Sequence, residues 1–257
     1  MSKLHMTMKI REVRARSILS RTRIPGIDYC INCYTGCGHS CTYCYATFMK
    51  KFTNHSEPWG TFVDVKVNAV DLLKKALRRN ITGEVLMSSV TDAYQPLEEK
   101  YELTRGCLAL LAQTELDVDI LTKSDLVVRD IDILSGMATV DVGLTITTNR
   151  EDIKHVFEPA SSSIGERINA LKSMRKAGVS TYVFIGPILP MDPEKLVDSI
   201  APFADRVLID RMNYRHRVEE VYRRENLGAA LEPEFFEEME QRLVRRLAHH
   251  GVRSECV

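Results

Sequence analysis

From residue 84 onward, short β-branched apolar runs alternate with longer stretches of 3.6-residue spacing. Residues 84–88, 118–121, 140–146, 179–185 and 207–210 read as strands. Residues 97–113, 126–134, 164–176 and 193–200 lie between them and read as helices, with further helices from Val218 and over 233–249. Ser163 and Glu166 predict a capping box at the start of the third of these, and Gly178 closes it. Pro193 fits the first turn of the next. Upstream, residues 62–67 alternate apolar with polar, the mark of an extended segment. Asn68 then predicts an N-cap for a helix with Val70, Leu72, Leu73, Ala76 and Leu77 on one face, ending at 80–83. Residues 26–33 alternate weakly and predict the first core strand. Residues 1–26 show no steady period and end in the turn signal Ile24-Pro25-Gly26.

This alternation predicts an α/β fold, a parallel sheet with crossover helices. Six core strands are too few for a closed eight-stranded barrel, so an open or partial barrel is expected. Ligands in such folds sit at the carboxyl ends of the strands. Four polar motifs fall there: a cysteine-rich loop after the first strand, Ser89-Val90-Thr91-Asp92, Thr122-Lys123-Ser124 and Thr145-Ile146-Thr147.

Composition narrows the function classes. Lys plus Arg and Asp plus Glu both number 35 in 257 residues, so net charge gives no general case for nucleic acid. The charge is uneven: residues 1–27 carry seven Lys/Arg against Glu12 alone, either a solvated tail or a nucleic-acid-contacting arm. No apolar run reaches membrane-span length, and no membrane partner is expected. The first residues lack the apolar core of an export signal, and the cysteines number seven, an odd count. A reducing, cytoplasmic setting with unbridged thiols is therefore expected.

Candidate chemistry concentrates in Tyr34–Lys51, YTGCGHSCTYCYATFMKK. Cys37, Cys41 and Cys44 are soft ligands suited to an iron–sulfur cluster or zinc. Three thiolates leave one coordination position open, which points to chemistry rather than a structural staple. The competing arrangement pairs Cys30 with Cys33 and Cys41 with Cys44 as two C-x-x-C units of a zinc-stabilised nucleic-acid binding module. Their separation is short for a zinc ribbon, and Cys37 would have no role. Packing in the first strand is the simpler expectation for Cys30 and Cys33.

The spacing C-x-x-x-C-x-Tyr-C resembles the cluster loop of the radical S-adenosylmethionine (radical SAM) superfamily. GCGHSCTYCYA with SSVTDAYQPLEEKYELTR looks like the spore photoproduct lyase-like, or DNA repair photolyase-like, branch. The resemblance spans residues 27–210. It implies a partial (β/α)6 TIM-type barrel over 27–210, with a basic extension before it (1–26) and a helical extension after it (211–257). It also implies a [4Fe-4S] cluster held by Cys37, Cys41 and Cys44, whose fourth iron takes S-adenosylmethionine. Electrons entering the sulfonium then yield a 5′-deoxyadenosyl radical that removes hydrogen from a substrate. An external one-electron reductant of flavodoxin or ferredoxin type is implied. Nucleic acid is a candidate substrate beside a protein or a small metabolite.

Within that resemblance Tyr43 is expected near the adenine, with Tyr45 at the cluster edge or facing substrate. Thr91, Lys123 and Thr145 match S-adenosylmethionine contacts, and Asp92 is a candidate for its ammonium or for a substrate group. Glu158-Pro159 and Arg167 match the branch as an ion pair ordering a loop or as a ligand contact. Ser89 marks a departure. The lyases carry there a cysteine thought to donate hydrogen to the product radical. A serine O–H bond is too strong for that, which argues against thymine-dimer repair by the same mechanism. Tyr94 and Cys256 are the candidate substitute donors.

Overall fold

The computed structural model describes residues 8–79 and 81–257. The chain clusters into two compact units. One comprises the residues up to Ser40, with Cys44–Ile120 and Gly136–Val140; the other comprises Cys41–Tyr43, Leu121–Ser135 and Asp141–Val257.

The first unit carries β1 (Lys9–Val13), β2 (Leu19–Arg21), β3 (Tyr29–Ile31), β4 (Tyr34–Thr35), β5 (Phe62–Lys66), β6 (Glu84–Met87) and most of β7 (Asp117–Thr122). Strands β2, β3, β6 and β7 lie in that order, antiparallel in the first pair and parallel in the others. The register sets Cys30 opposite Leu86 and Met87 opposite Ile120. A separate three-stranded sheet runs β1-β5-β4. Strand β5 is buried along most of its length and includes Asp64, a charge that needs partners there. Arg11 supplies two hydrogen bonds of 2.8 Å, and His55 Nε2 lies 2.8 Å away.

Strand β1 was not expected. Its five residues lie in the stretch without a steady period, and Ile10 is exposed. Backbone pairing with β5 holds it, not a buried face, so no alternation records it. Asn68 precedes α1 (Ala69–Ala76) as expected, but its side chain does not cap the helix. It bonds the backbone N–H and C=O of Ala15 instead, each at 2.9 Å, and fastens the chain between β1 and β2. The expected helix end at Asn80 and residues 1–7 lie outside the described residues.

The expected helix over 97–113 is broken into α2 (Glu98–Tyr101) and α3 (Leu103–Leu111) by Glu102, which takes a left-handed φ of 50°. Glu98 accounts for the break. Its buried carboxylate accepts from the N–H groups of Thr104 (3.0 Å) and Arg105 (3.1 Å), capping α3 from outside, and from the Tyr34 hydroxyl.

The second unit holds the end of β7, α4 (Ile131–Leu134), β8 (Val140–Thr145) after its first residue, α5 (Glu151–Phe157), α6 (Ile164–Lys176), β9 (Ser180–Ile185), α7 (Pro193–Ile200), β10 (Arg206–Ile209), α8 (Glu219–Arg224), α9 (Pro233–His249) and β11 (Arg253–Cys256). Strands β8, β9, β10 and β11 are parallel and adjacent in that order. The capping box at Ser163 and Glu166 is present, and Asp192 caps α7 ahead of Pro193. Helix α6 buries Ile164, Ala170, Leu171 and Met174, the large apolar ones contributing roughly 1.5–3 kcal/mol each. Arg242 and Arg246 of α9 pair with Glu194 and Asp198 of α7. The expected helix over 126–134 is a 3-10 turn (Asp125–Asp130) followed by α4, and α5 was not foreseen. No helix among the described residues is long and apolar enough to cross a membrane.

Candidate active site

In the first unit the cysteine loop leaves β4 at Gly36, whose φ is +91° and whose missing Cβ would lie 2.3 Å from the Phe62 carbonyl oxygen. Only glycine fits there. The Thr91 hydroxyl donates to the Gly36 carbonyl at 2.7 Å, and the Gly38 N–H donates to Gln95 Oε1 at 2.9 Å. The Ser40 hydroxyl closes the turn on the Gly60 carbonyl at 2.6 Å. Asp92 is buried, accepts from the Tyr94 N–H at 2.9 Å, and lies 3.3 Å from His39 Nε2.

Thr91 and Asp92, both expected beside a ligand, therefore brace the loop. Thr91 keeps lone pairs with which to accept a further bond. Burial, then the charge of Asp92, pushes the Cys37 thiol up to about 12, so a metal must displace its proton. Ser89 is held by Asn32, whose Oδ1 accepts from the N–H groups of Ser89 (3.0 Å) and Val90 (3.1 Å). The Tyr45 hydroxyl donates to the Ser89 carbonyl. Tyr94 is fully buried.

The second unit takes Cys41–Tyr43. The Thr42 N–H bonds the Phe157 carbonyl at 2.9 Å, and the Tyr43 hydroxyl donates to Glu158 Oε1. Glu158 is the centre of a buried network. Thr147 donates to it at 3.0 Å, and the Arg167 guanidinium lies 2.5 Å from its other oxygen. Arg167 also bonds the carbonyls of Thr145 (2.9 Å) and Ser162 (3.0 Å) and the Ser161 hydroxyl. The Arg167 donors are thus engaged by the 158–162 loop and the end of β8.

Burial pushes the Glu158 carboxyl up. The charges of Arg167 and Lys123 and the hydrogen bonds from Tyr43 and Arg167 together outweigh it, and it stays below the usual range. Burial and the Glu158 charge push the Tyr43 phenol well up, so it remains a donor. The Lys123 ammonium lies 5.7 Å from the Tyr43 ring centroid. Cys256 is exposed on β11, opposite Ile209.

Each unit leaves a buried polar group that a ligand could meet. Gln95 Nε2, on the residue that holds Gly38, and the Thr145 hydroxyl, at the end of β8, are both buried with no hydrogen-bond partner. Such orphaned groups cost free energy unless a ligand or water meets them. None of the seven cysteines, all among the described residues, is in a disulfide. Among those residues no three His, Cys, Asp or Glu side chains converge on one ion position. Asn32, His39 and Gln95 were not foreseen. They carry no periodic signal, and only the fold brings them to Ser89, Asp92 and Gly38.

The family model of the radical SAM superfamily matches residues 31–201. An uncharacterised protein of Methanocaldococcus jannaschii is 38% identical over 227 residues, covering 85% of this chain and 86% of its own. A cysteine-to-alanine mutant of spore photoproduct lyase with dinucleoside spore photoproduct has a TM-score of 0.72 at 16% identity, covering 96% of this chain and 81% of its own. A double mutant of that lyase, with bound AdoMet and dinucleoside spore photoproduct, has a TM-score of 0.68 at 16% identity, covering 96% and 80%. The chain belongs to the radical SAM superfamily and is an enzyme. Its α/β fold with a parallel sheet is that of spore photoproduct lyase, of the partial-barrel kind expected.

Proposed function

We propose that Cys37, Cys41 and Cys44 hold a [4Fe-4S] cluster and that S-adenosylmethionine binds beside it. When bound, this pair supplies reductive cleavage to a 5′-deoxyadenosyl radical, which abstracts hydrogen from the substrate. The observation that carries this reading is the three-thiol loop, fastened at Gly36 by Thr91 and at Tyr43 by Glu158. The chain's own residues set the site. Thr91 and Gln95 hold the loop's first turn, and Tyr43, kept protonated, ties its middle to Glu158. Lys123 offers a positive charge to the S-adenosylmethionine carboxylate, and the unpartnered Thr145 hydroxyl offers a hydrogen bond to a ribose. An external reductant of flavodoxin or ferredoxin type supplies the electron, and unbridged thiols suit a reducing cytoplasm.

Nucleic acid is the substrate class this reading favours. The fold likeness to a lyase solved with a dinucleoside lesion supports it. Ser89, in place of a hydrogen-donating cysteine, sets the reaction apart from repair of that lesion.

Anaerobic reconstitution tests the proposal. About four irons and four sulfides per chain are expected, with 5′-deoxyadenosine formed from S-adenosylmethionine under dithionite. Replacing Cys37 with alanine abolishes both. A protein that takes up zinc alone and forms no 5′-deoxyadenosine sinks the proposal and returns the zinc-stabilised module to first place.

A further inference from the structure

The 3-10 segment Tyr45–Phe52 begins at the residue after Cys44 and presents its aromatic side chains outward. Tyr45 is 47% exposed, Phe48 43% and Phe52 68%. Large apolar rings this open, three within eight residues, are not needed for the core. Lys50 and Lys51 lie between the two phenylalanines in sequence. The Lys51 ammonium sits 4.9 Å from the Phe52 ring centroid and 6.0 Å from that of Phe48. Lys50, half-buried, donates to the Ser56 carbonyl at 3.0 Å.

Along the sequence the charge of this segment is one-sided. No carboxylate occurs between Asp28 and Glu57 in the chain. Asp28 is engaged by the Glu84 N–H. Glu57 is bridged by Lys9 at 2.5 Å and by His55 at 3.0 Å, and the Lys9 hydrogen bond, with its own backbone and His55, holds it at about 2. The acids nearest in sequence are thus engaged elsewhere, Lys51 lies over the exposed rings, and Lys50 keeps N–H donors beyond the one given to Ser56. Flat exposed rings flanking a pair of ammonium groups match one ligand chemistry well. Bases stack on the ring faces, and phosphates meet the cations. An acidic protein would also use the lysines, but bases joined by phosphates use the ring faces and the ammonium groups together.

We propose that Phe48, Phe52, Lys50 and Lys51 form a platform for single-stranded nucleic acid. It leads substrate to the cysteine loop, each ring stacking a base and the lysines meeting the backbone phosphates. The proposal deepens the nucleic-acid reading of the substrate and rests on it. It concerns ungapped single strands because a duplex keeps its base faces stacked and out of reach.

Fluorescence anisotropy with 5′-fluorescein-labelled oligo(dT) of about 12 nucleotides, titrated with the reconstituted full chain at two salt concentrations, tests it. Wild type is expected to bind the single strand more tightly than the matching duplex. F48A with F52A is expected to weaken binding about tenfold or more. K50Q with K51Q is expected to lower the salt slope by about 1–2. Phe48, Lys51 and Phe52 are exposed and Lys50 is half-buried, so each variant is expected to keep a melting curve close to that of the wild type, and a single K51E variant serves if a double variant does not.

Equal affinity in wild type and variants overturns the platform, as does duplex preferred over single strand. Loss of binding to an acidic flavodoxin-type protein, with oligonucleotide binding unchanged, assigns the surface to a protein partner and also overturns it. S-adenosylmethionine cleavage by the wild-type enzyme keeps the two proposals apart. Cleavage without oligonucleotide binding overturns the platform alone. Binding without cleavage overturns the radical chemistry alone.

Discussion

Glu158 stays ionised with no solvent beside it, because Arg167 and Lys123 are close enough to offset its lost hydration. A buried pair of this kind is weak evidence for net stability, but breaking it from one side is expensive. Replacing Glu158 with glutamine leaves the Arg167 charge buried and removes the strong acceptor of Tyr43 and Thr147. A loss of about 3–5 kcal/mol is expected in denaturant unfolding, together with poorer iron incorporation. Replacing Glu158 with leucine and Arg167 with methionine together should cost less than the glutamine change alone. The pH dependence has a definite sign. The folded carboxyl lies below its ordinary value, so its contribution is complete above the ordinary glutamate pKa of about 4.3. That contribution is lost as pH falls below this value and through the lowered one. The gap between wild type and the glutamine variant should therefore close on acidification, and a gap independent of pH would remove the charge from the account. The cysteine triad, Thr91, Lys123 and Thr145 were legible in the sequence as candidates, because spacing and strand ends mark them, and their roles remain part of the proposal. The link from Tyr43 to Glu158 was not, since it joins residues 115 apart through a contact that no local pattern encodes.

At the scale of elements, helices α6, α7 and α9 were legible to the residue because capping residues and prolines mark their ends. Strands β1 and β11 were not, because they are short and half-exposed and are held by backbone pairing. The break at Glu102 was hidden for a different reason: apolar spacing runs through it, and the cause is the side chain of Glu98 folding back on α3. The turn at Gly36 gives a sharp test of what an element boundary can demand. Alanine there must hold a positive φ and also meet the Phe62 carbonyl oxygen at 2.3 Å. Gly26 has a similar φ of +80° with nothing within 4 Å of an added Cβ. Gly26→Ala is expected to cost about 1 kcal/mol, the backbone preference alone. Gly36→Ala should cost about 2–3 kcal/mol and reduce iron uptake, since the loop leaves β4 at that residue. Equal costs at the two positions in parallel urea titrations would show that the loop accommodates the methyl group and that the close approach to Phe62 is not a constraint.

For the molecule as a whole, 35 basic and 35 acidic residues cancel, so long-range steering of a charged partner is weak and recognition has to be local. The fold class could be derived from the strand–helix alternation, and the superfamily from the resemblance that one loop carries. The substrate could not, because it depends on which side chains the fold leaves open. The same locality makes ligand linkage a measure of the proposed site. A ligand that binds only the folded chain at a hundred times its Kd adds about 2.7 kcal/mol. For a chain of this size that is a rise in Tm of roughly 5–10 °C. S-adenosylmethionine should produce such a rise in the cluster-loaded protein under anaerobic conditions. It should produce a much smaller one in metal-free protein, where its amino and carboxylate groups lose their iron partner and only contacts such as those of Lys123 and Thr145 remain. Cys37→Ala should behave as the metal-free protein does even after reconstitution. An equal rise in all three would mean that protein side chains hold the ligand unaided, and it would detach S-adenosylmethionine binding from the cysteine loop.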